Sequence, residues 1–228
     1  FQGDYGAAKE FLEEGLILYR QLGDTEGIAS SLIYLGFVAV LGQRDLETVP
    51  ALYDEAAGLG PDLQDRRVVA NLLLFSGLIA ISQGDWERGL ALNDESLALF
   101  RQIGDIQGMG HCLNNLGIGA VVLQADYDKA TALLRENLRM ARESDYKLAI
   151  QYSLLGLGYV AACREQTARA ARLWGTVEAM EEAFGIRITA ITRSHTNYDG
   201  YVASARSQLT ETAWKAAWEE GRAMTLEQ

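Results

Sequence analysis

Four glycines recur at a nearly constant interval, and this interval limits what the chain can fold into. They are Gly36, Gly77, Gly117 and Gly158, spaced 41, 40 and 41 residues apart in a chain of 228 residues. Two series of aspartates keep nearly the same interval: Asp4, Asp45, Asp85 and Asp126 in one, and Asp24, Asp65, Asp105 and Asp145 in the other. Three series repeating together indicate one supersecondary unit copied in tandem. This predicts a solenoid that offers a surface for binding.

Each copy is predicted to contain two helices joined by short Gly-Asp junctions. Apolar residues recur at intervals of three and four, which is amphipathic helix spacing and not strand alternation. A glycine can take the left-handed conformation that ends a helix, and the following aspartate can accept hydrogen bonds from the amides that open the next one. We therefore predict junctions at Gly23-Asp24, near Gly42 to Asp45, and at Gly84-Asp85, Gly104-Asp105, Ala125-Asp126 and Ser144-Asp145.

Pro50 interrupts this pattern. If Asp45 capped its helix, Pro50 would be the fifth residue, where the missing N–H and the ring clash are costly. We therefore predict that the regular helix begins later, with Thr48 or Val49 as its cap and Pro50 in its first turn. This helix should be shorter than its copies and should end near Gly58.

The charge of the chain restricts its partners. It carries 20 Lys and Arg against 31 Asp and Glu, a net charge of −11. A nucleic-acid-binding module needs a basic face, and an anionic membrane repels an acidic chain, so we predict neither partner. No apolar run reaches the roughly 18 residues of a membrane span. Cys112 and Cys163 read as small buried thiols of a reducing cytoplasm, which predicts a cytoplasmic protein.

The chain offers no convergent set of catalytic groups. A zinc site or acid–base chemistry would need His111, Cys112, Cys163 or His195 to meet, and adjacent residues such as His111 and Cys112 point about 100° apart on a helix. No nucleophile elbow and no phosphate-binding loop occur. We therefore predict no enzyme, no cofactor and no bound metal.

The junction motif carries a family resemblance. Leu35-Gly36 in a first helix, followed by Gly-Asp-aromatic-x-x-small at the start of a second helix, as in Gly84 to Gly89, resembles the tetratricopeptide repeat (TPR). The period of about 40 departs from the usual ~34 of that family. Armadillo and HEAT repeats fit the period but lack this junction. The resemblance implies an all-α, TPR-like, right-handed helical-repeat solenoid.

Two later stretches extend the resemblance. Residues 170–175 (Ala-Ala-Arg-Leu-Trp-Gly) and 214–227, which begin Trp-Lys-Ala-Ala-Trp, look like the C-terminal region of large bacterial ATPase-type signalling regulators (LuxR-type or STAND). The resemblance implies an interaction or sensor segment of a transcriptional regulator. Its partner would be a protein or peptide, which includes the ATPase and output domains of the same regulator. The alternative is a small-molecule effector.

The repeats are predicted to occupy residues 1–185, about four and a half units, and a loop with a two-helix C-terminal cap to occupy residues 186–228. A solenoid exposes the apolar side of its last repeat, so a helical cap should cover it. Ile186, Ile188 and Ile191 are expected in a loop. Trp214 and Trp218 share one helix face and are expected to pack on the helix over 165–184.

The candidate binding surface follows from the same resemblance. In TPR proteins the first helix of each unit lines the concave face, which in this chain places eleven residues there: Ile33, Phe37, Asn71, Leu74, Leu78, His111, Asn114, Ile118, Tyr152, Leu155 and Tyr159. They are mostly apolar or aromatic. Such a trough suits a helix, a peptide or a small apolar effector. The other reading is that they pack against the following helix, and the sequence leaves both readings open.

Overall fold

Helices account for nearly all of the backbone that a computed structural model describes, which comprises residues 5–42, 45–185 and 196–225. No strand occurs in these ranges, which confirms the all-α prediction. The helices are α1 (Tyr5–Leu22), α2 (Thr25–Gly42), α3 (Val49–Gly58), α4 (Arg66–Ser82), α5 (Trp86–Ile103), α6 (Ile106–Val122), α7 (Tyr127–Glu143), α8 (Lys147–Cys163), α9 (Thr167–Phe184), α10 (Tyr198–Ser207) and α11 (Glu211–Ala223). Short 3-10 turns cover Leu46–Thr48 and Gly60–Asp62.

The chain divides into two compact units, the first ending at Cys112 and the second beginning at Leu113, so that the division falls inside α6. In the first unit α1 packs on α2, α2 on α3 and α4, and α4 on α5. In the second unit α7 packs on α8, and α8 on α9; α10 and α11 both pack on α9. Each unit is thus built mainly from helices that contact their neighbours in sequence.

Three junctions combine the predicted glycine stop with the predicted aspartate cap. Gly23, Gly84 and Gly104 take left-handed backbone angles, with φ of 69°, 88° and 69°. The aspartates at five helix starts then accept a hydrogen bond from a backbone N–H of the first turn: Asp24, Asp65, Asp85, Asp105 and Asp126. These side chains satisfy amides that have no partner inside the helix.

At the Ser144-Asp145 junction the predicted cap is wrong. Asp145 has φ of 53° and so occupies the left-handed position itself, as does Asp45, which was not the predicted cap of α3. Neither follows a glycine, and aspartate is one of the few other residues that tolerate this conformation. The helix after Asp145 consequently starts one residue later, behind Tyr146, which makes no side-chain cap.

The irregular helix at Pro50 has the predicted form. The α-helix begins at Val49, with Thr48 as its cap and Pro50 in its first turn, and it ends at Gly58. Residues 46–48 form a 3-10 turn instead of α-helix. The proline therefore lies where an intrahelical N–H bond is not required.

The repeating glycines have a common packing role. We call them notch glycines. The helices that carry them are called A-type helices and are α2, α4, α6 and α8. The helices that alternate with them are called B-type helices and are α1, α3, α5, α7 and α9. A Cβ atom added at a notch glycine would overlap one large side chain of the following B-type helix, 16 or 17 residues later. These notch partners are Tyr53 for Gly36, Asn93 for Gly77, Leu134 for Gly117 and Trp174 for Gly158.

All four notch partners are buried, with exposed fractions of 0 to 4%. They recur at intervals of 40, 41 and 40 residues. Missing Cβ atoms therefore let each helix pair approach closely at one point, where a large side chain fills the space.

The two C-terminal helices pack on α9, as predicted. Trp214 is buried, and its ring lies 5.6 Å from that of Trp218. The close crossing of α9 and α11 depends on Gly175 and Gly221, because a Cβ at either would strike the backbone of the other helix. Thr210 caps α11 by accepting from the N–H of Ala213. The expected loop with Ile186, Ile188 and Ile191 lies outside the described residues.

Candidate functional site

The eleven residues of the predicted binding face divide into two groups by exposure. Six are buried, with at most 7% of their surface exposed: Ile33, Leu74, Asn114, Ile118, Leu155 and Tyr159. The other five are half-buried: Phe37, Asn71, Leu78, His111 and Tyr152. A ligand could reach only the second group without repacking the core. Their binding role stays a prediction.

In the first unit the face borders an aromatic cluster. The ring of Phe37 lies 5.2 Å from that of Phe75, which stacks at 5.7 Å on Tyr53. Tyr53 donates its hydroxyl to the carbonyl oxygen of Ile33 at 3.1 Å. Burial raises the pKa of the Tyr53 phenol. The cluster fixes the orientation of Phe37, the half-buried member of the face.

In the second unit Tyr159 is the centre of a larger aromatic cluster. Its ring lies 6.0 Å from Trp174, 6.4 Å from Tyr198 and 5.1 Å from Tyr201. Its hydroxyl shares a hydrogen bond of 2.7 Å with the hydroxyl of Thr196. These contacts join α8, α9 and α10 in one core, so Tyr159 packs against the C-terminal helices and is enclosed by them.

Burial shifts the pKa values of both His111 and Cys112 toward their uncharged forms. Burial lowers the pKa of His111, and the nearby Asp105 opposes this only in part, so the imidazole is neutral at pH 7. Burial raises the pKa of the Cys112 thiol to about 12. This thiol donates to Ser96 Oγ at 3.4 Å. A protonated, buried thiol is a poor nucleophile and a poor metal ligand.

Cys163 has different surroundings. It is half-buried at the end of α8, within hydrogen-bonding reach of the hydroxyls of Tyr127 and Tyr201. Cys163 raises the pKa of the Tyr127 phenol, and burial together with Cys163 raises that of Tyr201. A phenol is protonated at neutral pH even at its ordinary pKa of about 10, so both hydroxyls can donate to the sulfur.

Two further features concern only the described ranges. No group of three or more His, Cys, Asp or Glu residues there is arranged to hold a metal ion. None of the helices there combines the length and the apolar composition that a membrane crossing requires. His195, the other histidine considered for metal binding, lies outside the described residues.

Sequence reasoning missed the notch partners and the exposure of α1. The partners keep the 40-residue interval, but as four different residue types they leave no visible motif. On α1, Phe11, Leu18 and Leu22 are 74%, 58% and 78% exposed. Their spacing along one helix face is visible in the sequence, whereas their exposure is not.

Comparisons with known proteins give no assignment: no protein-family model matches the chain, and no curated protein matches it.

Proposed function

We propose that this chain is a protein-interaction segment, built as a right-handed, TPR-like solenoid of about 40-residue units and closed by a C-terminal helical cap. The observation that carries the proposal is the repeated notch. One glycine-to-partner contact recurs at four helix pairs on one interval, as expected of a tandem array. Arrays of this kind act through extended surfaces, so binding of a partner protein or peptide is the function that fits best.

The half-buried residues of the predicted binding face support a peptide partner. Phe37, Leu78 and Tyr152 present apolar or aromatic surface, and Asn71 adds an amide that can hydrogen-bond a backbone. Aromatic residues such as Phe and Tyr are enriched at the cores of protein interfaces. The net charge of −11 favours a basic partner over an acidic one.

The biological setting rests on the resemblance alone. The stretches 170–175 and 214–227 suggest a cytoplasmic bacterial transcriptional regulator whose ATPase or output domains receive the signal. Sequencing the full-length parent gene tests this directly. A phosphate-binding loop upstream, or a DNA-binding, cyclase or kinase domain at either end, would support the assignment.

The binding role is tested with a peptide selected on the purified chain by phage display. The peptide is titrated into isotope-labelled protein, and the shifted amide signals are mapped. We expect them to cluster around Phe37, Asn71 and Leu78, or around Tyr152. Phe37→Ala should weaken binding, whereas Tyr34→Ala, an exposed residue of the same helix, should not. A saturable thermal shift with a sugar or lipid, and none with any peptide, would instead favour the small-molecule effector.

A further inference from the structure

The first helix exposes an apolar stripe that no other part of the described ranges covers. Phe11, Leu18 and Leu22 are 74%, 58% and 78% exposed. Their spacing of seven and four places them along one side of α1, and we call this stripe the α1 face. Contiguous exposed apolar surface of this kind usually marks an interaction site.

The repeat identifies the copies of these residues in another helix. Leu18 to Asp24 in α1 recurs as Leu99 to Asp105 in α5, a separation of 81 residues. Phe11, Leu18 and Leu22 therefore correspond to Leu92, Leu99 and Ile103, all of which are half-buried.

In α5, Leu92 and the neighbouring positions Gly89 and Ser96 pack on the A-type helix α4. A Cβ at Gly77 of α4 would lie 3.3 Å from Leu92 Cβ, and a Cβ at Gly89 of α5 would lie 2.5 Å from Ile81 Cγ1. Ser96 donates to the carbonyl oxygen of Ala70 at 2.7 Å. Residues later in α5 therefore contact residues earlier in α4, which means that the two helices run antiparallel.

In α1, the residues that correspond to the α4-facing positions of α5 are less buried. Ala8 and Leu12 are only half-buried. Their counterparts in the other full-length B-type helices are buried: Gly89 and Asn93 in α5, Ala130 and Leu134 in α7, and Ala170 and Trp174 in α9. Leu12 is thus a notch partner whose glycine is not supplied by the described residues.

We propose that the α1 face binds an A-type helix of a further repeat unit, antiparallel to α1, with a glycine opposite Leu12. The inference rests on the proposed function and specifies the partner of one surface. The helix carries small and branched apolar residues on the side that meets Phe11 and Leu18.

The start of the bound helix carries basic side chains. In the α4–α5 pair, Arg66 Nη1 donates to Gln102 Oε1 at 3.0 Å and Arg67 Nη1 to Asp105 Oδ2 at 2.6 Å. The counterparts of these acceptors beside α1 are Gln21 and Asp24. An arginine pair at the start of the bound helix therefore meets the same two acceptors.

The test uses α4 itself as the probe. A fluorescently labelled peptide of residues 65–83, with solubilising lysines at its C-terminus, is titrated with the full chain while anisotropy is measured. We expect saturable binding that Phe11→Glu or Leu18→Glu weakens by about tenfold or more, because each places a charge in an apolar contact. Ile106→Glu, at another exposed apolar residue, should bind as the unaltered chain does. Circular dichroism checks that each variant is folded.

A second measurement tests the register. A disulfide should form between Ala8→Cys in the chain and Ile81→Cys in the peptide, as the Gly89–Ile81 contact indicates. A peptide with Gly77→Leu should not bind, because its side chain would occupy the space of Leu12.

Three results would overturn the inference: no saturable binding of the α4 peptide, equal binding by the Phe11→Glu variant, or a stable dimer that Phe11→Glu dissociates. The last would assign the α1 face to a second copy. The proposed function is separable from these results. A phage-selected peptide that binds around Phe37 or Tyr152 would keep the interaction role even if α1 binds nothing.

Discussion

The indole N–H of Trp174 donates a hydrogen bond to the carbonyl oxygen of Leu155 at 3.3 Å. The hydroxyl of Tyr53 makes the corresponding bond to the carbonyl oxygen of Ile33 at 3.1 Å. Each acceptor lies three residues before a notch glycine. The missing Cβ lets the aromatic ring reach the helix backbone, and the polar atom of the ring then finds a partner in a buried site.

Replacing a notch glycine should destabilise the fold. In Gly158→Ala the new Cβ would lie 2.7 Å from Cδ1 of Trp174, whose ring is fully buried and cannot swing away. We expect the free energy of unfolding, measured in urea, to fall by about 1–3 kcal/mol. Gly58→Ala is the control, because a Cβ there meets no atom within 4 Å. An equal fall of the unfolding free energy in both variants would contradict the packing role of the notch glycine.

Two substitutions at equivalent helix ends should have opposite effects. Ala125 has φ of 48°, whereas Gly84, 41 residues earlier, has φ of 88°. Left-handed backbone costs a non-glycine residue roughly 1–2 kcal/mol. Ala125→Gly should therefore raise the melting temperature, and Gly84→Ala should lower it. Changes of the same sign would show that backbone strain is not the deciding factor.

The C-terminal helices should contribute strongly to stability. Trp214 is 5% exposed and packs beside Trp218 on the helix that crosses α9. Trp214→Ala should cost roughly 3 kcal/mol or more of unfolding free energy, by analogy with other buried aromatic truncations. Lys215→Ala, at the exposed neighbouring position, should cost little. If removing residues 197–228 left melting temperature and solubility unchanged, these helices would not be a cap.

Acid should weaken the attachment of α11 to α9. Arg222 binds Glu178 at 2.6 Å and Glu182 at 2.7 Å, and its guanidinium lowers the pKa of the Glu182 carboxyl. A carboxyl with a lowered folded pKa stabilises the fold above its unfolded pKa, about 4.3, and loses this contribution as pH falls through the folded value. The melting temperature of the unaltered chain should exceed that of Arg222→Gln at pH 7. The difference should shrink below about pH 4.3. A difference independent of pH would assign the effect of Arg222 to packing.

The two cysteines should differ in reactivity. Cys112 is buried and the pKa of its thiol is raised to about 12, whereas Cys163 is half-buried. A thiol reagent added to the native chain should modify Cys163 first, because the attacking species is the exposed thiolate. The Cys163→Ser variant should react only after unfolding in denaturant. Rapid labelling of native Cys163→Ser would mean that the α6 region opens readily.

The helix boundaries were predictable because their causes are local. A glycine that can adopt positive φ, an aspartate that can accept from free amides, and a proline without an N–H each act within a few residues. Prediction failed at Asp145, which takes the left-handed position itself, so that the helix begins one residue later behind Tyr146. The preceding residue does not decide this alone, because Asp126 follows Ala125 and still caps its helix.

The packing was less predictable because it depends on residues distant in sequence. The sequence left open whether Tyr159 lines a binding face or packs against a helix; its exposed fraction is 0% because rings from α9 and α10 enclose it. The notch partners form no sequence motif, because they are four different residue types and only their position recurs. Periodicity can therefore predict a binding face, but it cannot say how much of that face the tail covers.

The contact between a notch glycine and its partner should tolerate substitution differently on its two sides. Four copies keep glycine, while the opposing position holds tyrosine, asparagine, leucine or tryptophan. Any side chain at the glycine forces two helices apart, whereas many shapes can fill the space that the glycine leaves. Substitutions should therefore be tolerated more readily on the B-type side of each contact, and the A-type glycines should be the positions at which change is tolerated least.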